Sequence, residues 1–147
     1  KHYHLLLKQG TSQSKLDWFN VGKYKKLPNT IGEQETTPPK SVAKEIRALL
    51  AGYNALKKHT VKDIDKFHFE FEKIHPFQDG NGRTGRLIMF KECLAHNIVP
   101  FIIDSEHRLF YYRSLQQYSG IPEYLNDTCL FAQDHYSEIC KKFKAIL

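Results

Sequence analysis

Thr60-Val61-Lys62-Asp63-Ile64-Asp65-Lys66-Phe67-His68-Phe69-Glu70-Phe71-Glu72-Lys73-Ile74 can be read in two ways, and the choice between them decides the fold. Phe67, Phe69 and Phe71 alternate as in a strand. Downstream, Gly80-x-Gly82-x-x-Gly85 with Asp104 roughly twenty residues on fits a dinucleotide-binding fingerprint. Yet a parallel strand buried on both faces is nearly continuous apolar sequence, and this one carries His68, Glu70, Glu72 and Lys73. The helical reading has more behind it. Ile64, Phe67, Phe71 and Ile74 recur at spacings of three and four, and Thr60-Val61-Lys62-Asp63 is a capping box in front of them. The spacing predicts a helix over about 61–74. A second decoy, Gly80-x-x-x-x-Gly85-Arg86-Leu87, fails as a phosphate-binding loop of the Walker type, because Arg stands for Lys and Leu for the metal-binding Ser/Thr.

The segment that follows, His75-Pro76-Phe77-Gln78-Asp79-Gly80-Asn81-Gly82-Arg83-Thr84-Gly85-Arg86, concentrates the chain's chemistry. Glycines at 80 and 82 let backbone N–H groups approach an anion, and a helix beginning near Gly82 points its unpaired N–H groups and positive dipole end the same way. Arg83 and Arg86, three apart, share a helical face suited to phosphate oxygens. Asp79 is a hard oxygen donor of the kind Mg²⁺ takes alongside a substrate's phosphates. His75 has a reference pKa near neutrality and can accept a hydroxyl proton. Each residue has an ordinary reading too: a histidine before proline can simply end a helix, Asp-Gly and Asn-Gly are common turn pairs, and the arginines could pair with Glu70 or Glu72. Two turns side by side followed by two arginines on one face are better explained together, by a phosphate cradle.

Residues 75–86 match at all eight defined positions the Fic (filamentation induced by cAMP) signature His-x-Phe-x-Asp/Glu-Gly-Asn-Gly/Lys-Arg-x-x-Arg, and the chain resembles that family. More loosely, His4 with Leu5-Leu6-Leu7 is similar to the end of the family's first helix. Gly22-Lys23-Tyr24-Lys25 is similar to its Gly-x-Tyr-Arg stretch, with Lys for the usual Arg. Thr37-Pro38-Pro39-Lys40-Ser41-Val42 and Arg108 to Tyr112 are similar to two further family segments. The resemblance implies a protein adenylyltransferase with ATP as co-substrate and Mg²⁺ as cofactor. It assigns His75 as general base, Asp79 as metal ligand, Gly80, Asn81 and Gly82 to the α-phosphate, and Arg83 and Arg86 to the β- and γ-phosphates. Phe77 is the loop's core anchor, and Tyr112, more ordinarily a core or interface aromatic, is a candidate nucleotide contact. Glycine at 82, where the Doc-like branch has Lys, favours nucleotidyl transfer over phosphoryl transfer. A hairpin flap at about residues 22–36 would dock the protein substrate as an added strand. Transfer of UMP, GMP or phosphocholine through the same site, and a non-catalytic nucleotide-sensing module, are the alternatives; self-modification is among the expected reactions. The family's inhibitory pattern, Ser/Thr-x-x-x-Glu-Gly/Asn, is not found, for no Glu-Gly or Glu-Asn pair occurs. The inhibitory helix then precedes Lys1, or a separate inhibitory protein supplies it, or the enzyme is unrestrained.

With 147 residues, 41% of them hydrophobic, and a mean hydropathy of −0.53, the chain is expected to form a single domain over residues 1–147. The first residue is not Met, so an N-terminal segment is expected to be missing. No run suggests a membrane partner or a signal peptide. Cys93, Cys129 and Cys140 lack metal-ligand spacing and suit free thiols in a reducing, cytoplasmic setting. The net charge of +6 invites nucleic acid as a partner, but the lysines are scattered without the basic stripe such binding requires, which counts against it.

The expected fold class is all-α, a Fic-like helical domain with a small β-hairpin flap. Gly10 to Pro39 reads as loop and hairpin. Ser41 is placed as cap of a helix running to about Lys58, with Val42, Ile46, Leu49, Leu50, Tyr53 and Leu56 inward. The helix after the motif should bury Leu87, Phe90, Cys93 and Leu94 until Asn97 and Pro100 stop it. Asp104 should cap a fourth helix with Leu109, Tyr112, Leu115 and Tyr118, closed by Gly120. Pro122 should open a fifth through Leu125, Phe131, Ile139 and Phe143. Ile98 to Ile103 is either a short β-like run or an extended connector.

Overall fold

Thr60 and Asp63 form the capping box that the sequence predicts. The Thr60 N–H donates to the Asp63 carboxylate at 2.9 Å, and the Asp63 N–H donates to the Thr60 hydroxyl at 3.4 Å. In the computed structural model, which describes residues 1–144, the helix they start runs over Val61–Ile74. The last three residues of the expected domain lie outside that description. Six helices are described: α1 (His2–Lys8), α2 (Pro39–Asn54), α3 (Val61–Ile74), α4 (Asn81–Ala95), α5 (Arg108–Gln117) and α6 (Glu123–Lys142). Two-residue strands β1 (Thr30–Ile31) and β2 (Gln34–Glu35) pair antiparallel, Thr30 opposite Glu35, around Gly32 at φ +58°. The class is all-α with a small hairpin, as expected. A 3₁₀ turn at Ser12–Lys15 is an addition that the polar sequence did not signal.

The chain forms two compact units. Lys1–Lys57 joins Glu70–Ile88 in the first, and Lys58–Phe69 joins the described residues from Met89 onward in the second. The first holds α1, the hairpin, α2 and the whole of the 75–86 segment. Its buried apolar residues include Phe19, Val42, Ile46, Tyr53, Phe71, Ile74 and Phe77. The second is built on Ile64, Phe67, Met89, Cys93, Tyr111, Leu125 and Cys129. Within it His68 Nε2 meets the Tyr111 hydroxyl at 2.5 Å, so a buried imidazole and a buried phenol satisfy each other.

Several expected helix faces and ends are corrected. α2 starts at Pro39, whose missing N–H costs nothing in a first turn, so Ser41 is inside the helix and not its cap; the helix stops at Asn54. Leu50 and Leu56 are exposed. On α4, Leu87 and Leu94 face solvent while Thr84, Met89 and Cys93 are buried. On α5 the buried pair is Tyr111 and Ser114, leaving Leu109 71% exposed and Tyr112 half exposed. Asp104 is not the cap of α5, although its Oδ1 accepts the N–H groups of Glu106 and His107. On α6 only Leu125 of the expected four is buried. Cys129, Ala132 and Cys140 complete the stripe at spacings of four, three and eight. On α4, α5 and α6 small residues such as Thr84, Cys93, Ser114, Cys129 and Ala132 take up part of the buried face, and an apolar count weighted by size misses them. Ile98 to Ile103 is an extended connector, tied down by Gln133 Nε2 donating to the Val99 carbonyl.

Candidate active site

α3 ends where Ile74 meets His75-Pro76. A proline disfavours helical geometry in the residue before it, and His75 leaves the helix in the left-handed region at φ +48°. Such a backbone position is uncommon outside glycine and costs on the order of 1 kcal/mol, so the surroundings must hold it. They do so from both sides. The His75 N–H still donates to the Phe71 carbonyl at 3.0 Å, and the Lys25 N–H takes the Pro76 carbonyl at 2.9 Å. The Lys25 side chain, almost fully buried, donates to Asn29 Oδ1, Thr36 Oγ1 and the Ile74 carbonyl, fastening the base of the hairpin to the end of α3. No carboxylate accompanies it there among these contacts, and burial brings its ammonium down to about 8.

The imidazole of His75 is mostly buried. Its Nδ1 lies 3.2 Å from the Glu72 carbonyl oxygen, which can only accept, so Nδ1 carries the proton and Nε2 the lone pair. Burial holds its pKa below the ordinary value. The Glu72 carbonyl opposes that shift, and the charge of Lys25 adds to it. A neutral imidazole with Nε2 unprotonated is the form a general base requires. The Glu72 carboxylate stands 3.9 Å from Nδ1; burial pushes it up to about 7, against the pull of Arg86.

Beyond His75 the loop is closed by one residue. Asn81 Oδ1 accepts the Phe77 N–H at 2.8 Å and Asn81 Nδ2 donates to the Phe77 carbonyl at 2.9 Å, inside a fully buried setting. Phe77 is buried as expected, stacked on His4 and flanked by Phe71 and Tyr24. Gly80 sits at φ +79°, and a Cβ there would come within 3.3 Å of the Lys8 side chain. The Thr84 N–H bonds the Gly80 carbonyl at 3.0 Å, so α4 opens immediately after, with the N–H groups of its first turn lacking intrahelical acceptors. Gly82 lies under the Arg86 guanidinium, which a Cβ would approach to 3.2 Å. Arg83 reaches back to Asp79 at 3.7 Å. His75, Asp79, Gly80, Asn81, Gly82, Arg83 and Arg86 are thus brought together within the first unit, between the end of α3 and the first turns of α4. Tyr112 belongs to the second unit, beside Tyr111 on α5.

Residues 1–93 match the family model described as the Fic/DOC family. The chain belongs to the Fic/DOC family. It is 45% identical over 58 residues to the "Protein adenylyltransferase Fic" of Aedes aegypti, covering 40% of this chain and 12% of that protein. It is 28% identical over 102 residues to "Protein adenylyltransferase fic-1" of Caenorhabditis elegans, covering 67% and 20%. A Fic family protein from Desulfovibrio desulfuricans G20 has a similar structure, with a TM-score of 0.68 and 27% identity, over 98% of this chain and 46% of that one. The chain therefore spans less than a quarter of the length of these two curated relatives and under half of that structure.

In this Fic/DOC chain Asp79 has a half-exposed carboxylate beside the first turn of α4. A single hard oxygen donor of that kind fits Mg²⁺, which completes its shell with phosphate oxygens and water. Among the described residues no group of three metal-binding side chains occurs, and no helix is long and apolar enough to cross a membrane. Sequence reasoning missed Lys8 and the full part played by His4. Lys8, 2% exposed, places its ammonium 2.5 Å from Asp79 Oδ2 and also donates to Gln13 Oε1. Burial alone would raise Asp79, but the Lys8 hydrogen bond and the Gly80 N–H prevail and hold its carboxyl below the usual value. A lysine in the apolar run Leu5-Leu6-Leu7-Lys8 was the only signal available.

Proposed function

We propose that this chain transfers AMP from ATP to a hydroxyl side chain of a protein, releasing pyrophosphate. The observation that carries the reading is the orientation of His75: its Nδ1 is committed to the Glu72 carbonyl, leaving Nε2 basic, one short loop from a helix N-terminus and two arginines. The hydroxyl oxygen attacks the α-phosphorus as His75 Nε2 takes its proton, and the bond to the bridging oxygen breaks with pyrophosphate as leaving group. The N–H groups at Asn81 and Gly82, with that of Gly80 shared with the Asp79 carboxylate, would stabilise the charge that develops on the α-phosphate oxygens. Because the Asn81 side chain is spent on closing the loop, its part in that cradle is through the backbone. Arg83 and Arg86 hold the β- and γ-phosphates. Asp79 would hold Mg²⁺, which when bound neutralises phosphate charge. The Arg86 guanidinium above Gly82 supports nucleotidyl over phosphoryl transfer, since a lysine at 82 would displace it.

The exposed hairpin of β1 and β2, anchored through Lys25, supplies the docking edge for the target segment. Labelled ATP tests the reading: His75→Ala should keep nucleotide affinity and lose transfer, whereas equal transfer by both proteins would remove His75 from the mechanism.

A further inference from the structure

Asp79, the residue read above as metal ligand, already has a cation. The Lys8 ammonium sits 2.5 Å from Oδ2, with its side chain 3% exposed, and is held there by Gln13 Oε1 as well. Its stem lies against Gly80, where a Cβ would meet Cδ at 3.3 Å, and its head stands 5.3 Å from the Phe19 ring centre. Arg83 adds a second, weaker cation at 3.7 Å on the same oxygen. A divalent ion coordinating Oδ2 must therefore displace a caged ammonium from its bond and remain within a few ångströms of two positive charges. Near a protein surface like charges at that range repel by on the order of a few kcal/mol. The ammonium in turn cannot leave cheaply, since moving a buried charge off the Asp79 carboxylate leaves it uncompensated.

We infer that Lys8 is a positioning residue that fixes the Asp79 carboxylate and sets the metal affinity of the site by occupying Oδ2. The inference rests on Asp79 being the ligand. It makes metal entry depend on the phosphates that arrive with it, because their negative charge offsets the repulsion from Lys8.

Manganese binding reads this without reference to turnover. With the full chain and α,β-methylene ATP, free Mn²⁺ measured by electron paramagnetic resonance should show Lys8→Met binding the ion about tenfold tighter than the native protein. Lys8→Gln, which keeps a hydrogen bond and loses the charge, should fall between, and it carries the test should the methionine variant not fold. Equal or weaker binding in both variants overturns the role of Lys8 and leaves the proposed function standing. No manganese binding by any of the three proteins overturns both. Thermal midpoints give a second readout: Asp79→Asn should melt lower than the native protein, and Lys8→Met/Asp79→Asn should recover the loss. An unchanged midpoint in Asp79→Asn would show that the pair does not hold the resting site together.

Discussion

The imidazole of His4 lies flat on the ring of Phe77, with centroids 4.0 Å apart and planes within 6°. Its edges are equally committed. Nδ1 accepts the Gly22 N–H at 2.9 Å and Nε2 donates to the Asp79 carbonyl at 3.0 Å, so one fully buried side chain on α1 joins the foot of the hairpin to the middle of the motif. Two buried hydrogen bonds and a stacked ring contribute about 3 kcal/mol together. His4→Ala should lower unfolding stability by roughly that amount, while the exposed His2→Ala should stay within about 0.5 kcal/mol of native. Urea denaturation of both variants measures the difference, and similar losses would deny His4 its place as the link.

Burial lowers the pKa of His75 and of His4. The unfolded chain takes up protons at these positions as pH falls through about 6.5, and the folded one resists until lower pH. Their contribution to stability is thus complete above that value and is lost as pH falls through the folded pKa. The acid limb of transfer should likewise lie below the ordinary histidine value. Lys25→Met, which removes the second cause of depression at His75, should move that limb upward. A rate profile with its acid midpoint above 7, or one indifferent to Lys25, would contradict the assignment.

Asp65 is fully buried on α3, its Oδ2 accepting from Asn126 at 3.2 Å and its Oδ1 without a partner among the described residues. Burial pushes its carboxyl up to about 6, against hydrogen bonds from Cys129 and Asn126. For a raised carboxyl, stability is fully present below the unfolded pKa and is lost as pH rises through the folded one. Asp65→Asn should be nearly neutral at pH 4 and stabilising by about 2 kcal/mol at pH 8. Denaturation midpoints at the two pH values decide it, and a destabilised variant at pH 8 would mean that the carboxylate has an unrecognised cationic partner.

How much of this was legible beforehand follows from how local each signal is. The Thr60–Asp63 box and the Ile64, Phe67, Phe71, Ile74 spacing lie within one helix, so α3 was readable against the strand alternative. The motif loop was readable because its glycines, Asp79 and arginines are contiguous. Long-range partners were not. Lys8 meets Asp79 across 71 residues of chain, and the apolar run that carries Lys8 does not say which residue it meets. The inward faces of α5 and α6 were misread for a different reason: Ser114, Cys129 and Ala132 are buried through close packing while Leu109 and Phe131 stay exposed. Helix periodicity fixes a stripe only when its large apolar residues are the buried ones.

Gly82 leaves room for the Arg86 guanidinium, and a Cβ would stand 3.2 Å from Nη1. Gly82→Ala should shift that group by a few tenths of an ångström and weaken Mg²⁺·ATP binding several-fold, with Arg86→Ala costing more. Each charge-assisted hydrogen bond lost is worth about 1.5–3 kcal/mol. Calorimetric affinities unchanged in both variants would take Arg86 out of the phosphate site.

The most direct test of transfer at this motif is the intact mass of the protein after incubation with ATP and Mg²⁺. Self-modification should add the mass of one or more AMP groups to the native chain and none to His75→Ala. Native protein that binds the nucleotide and gains no mass would contradict the account and favour a sensor.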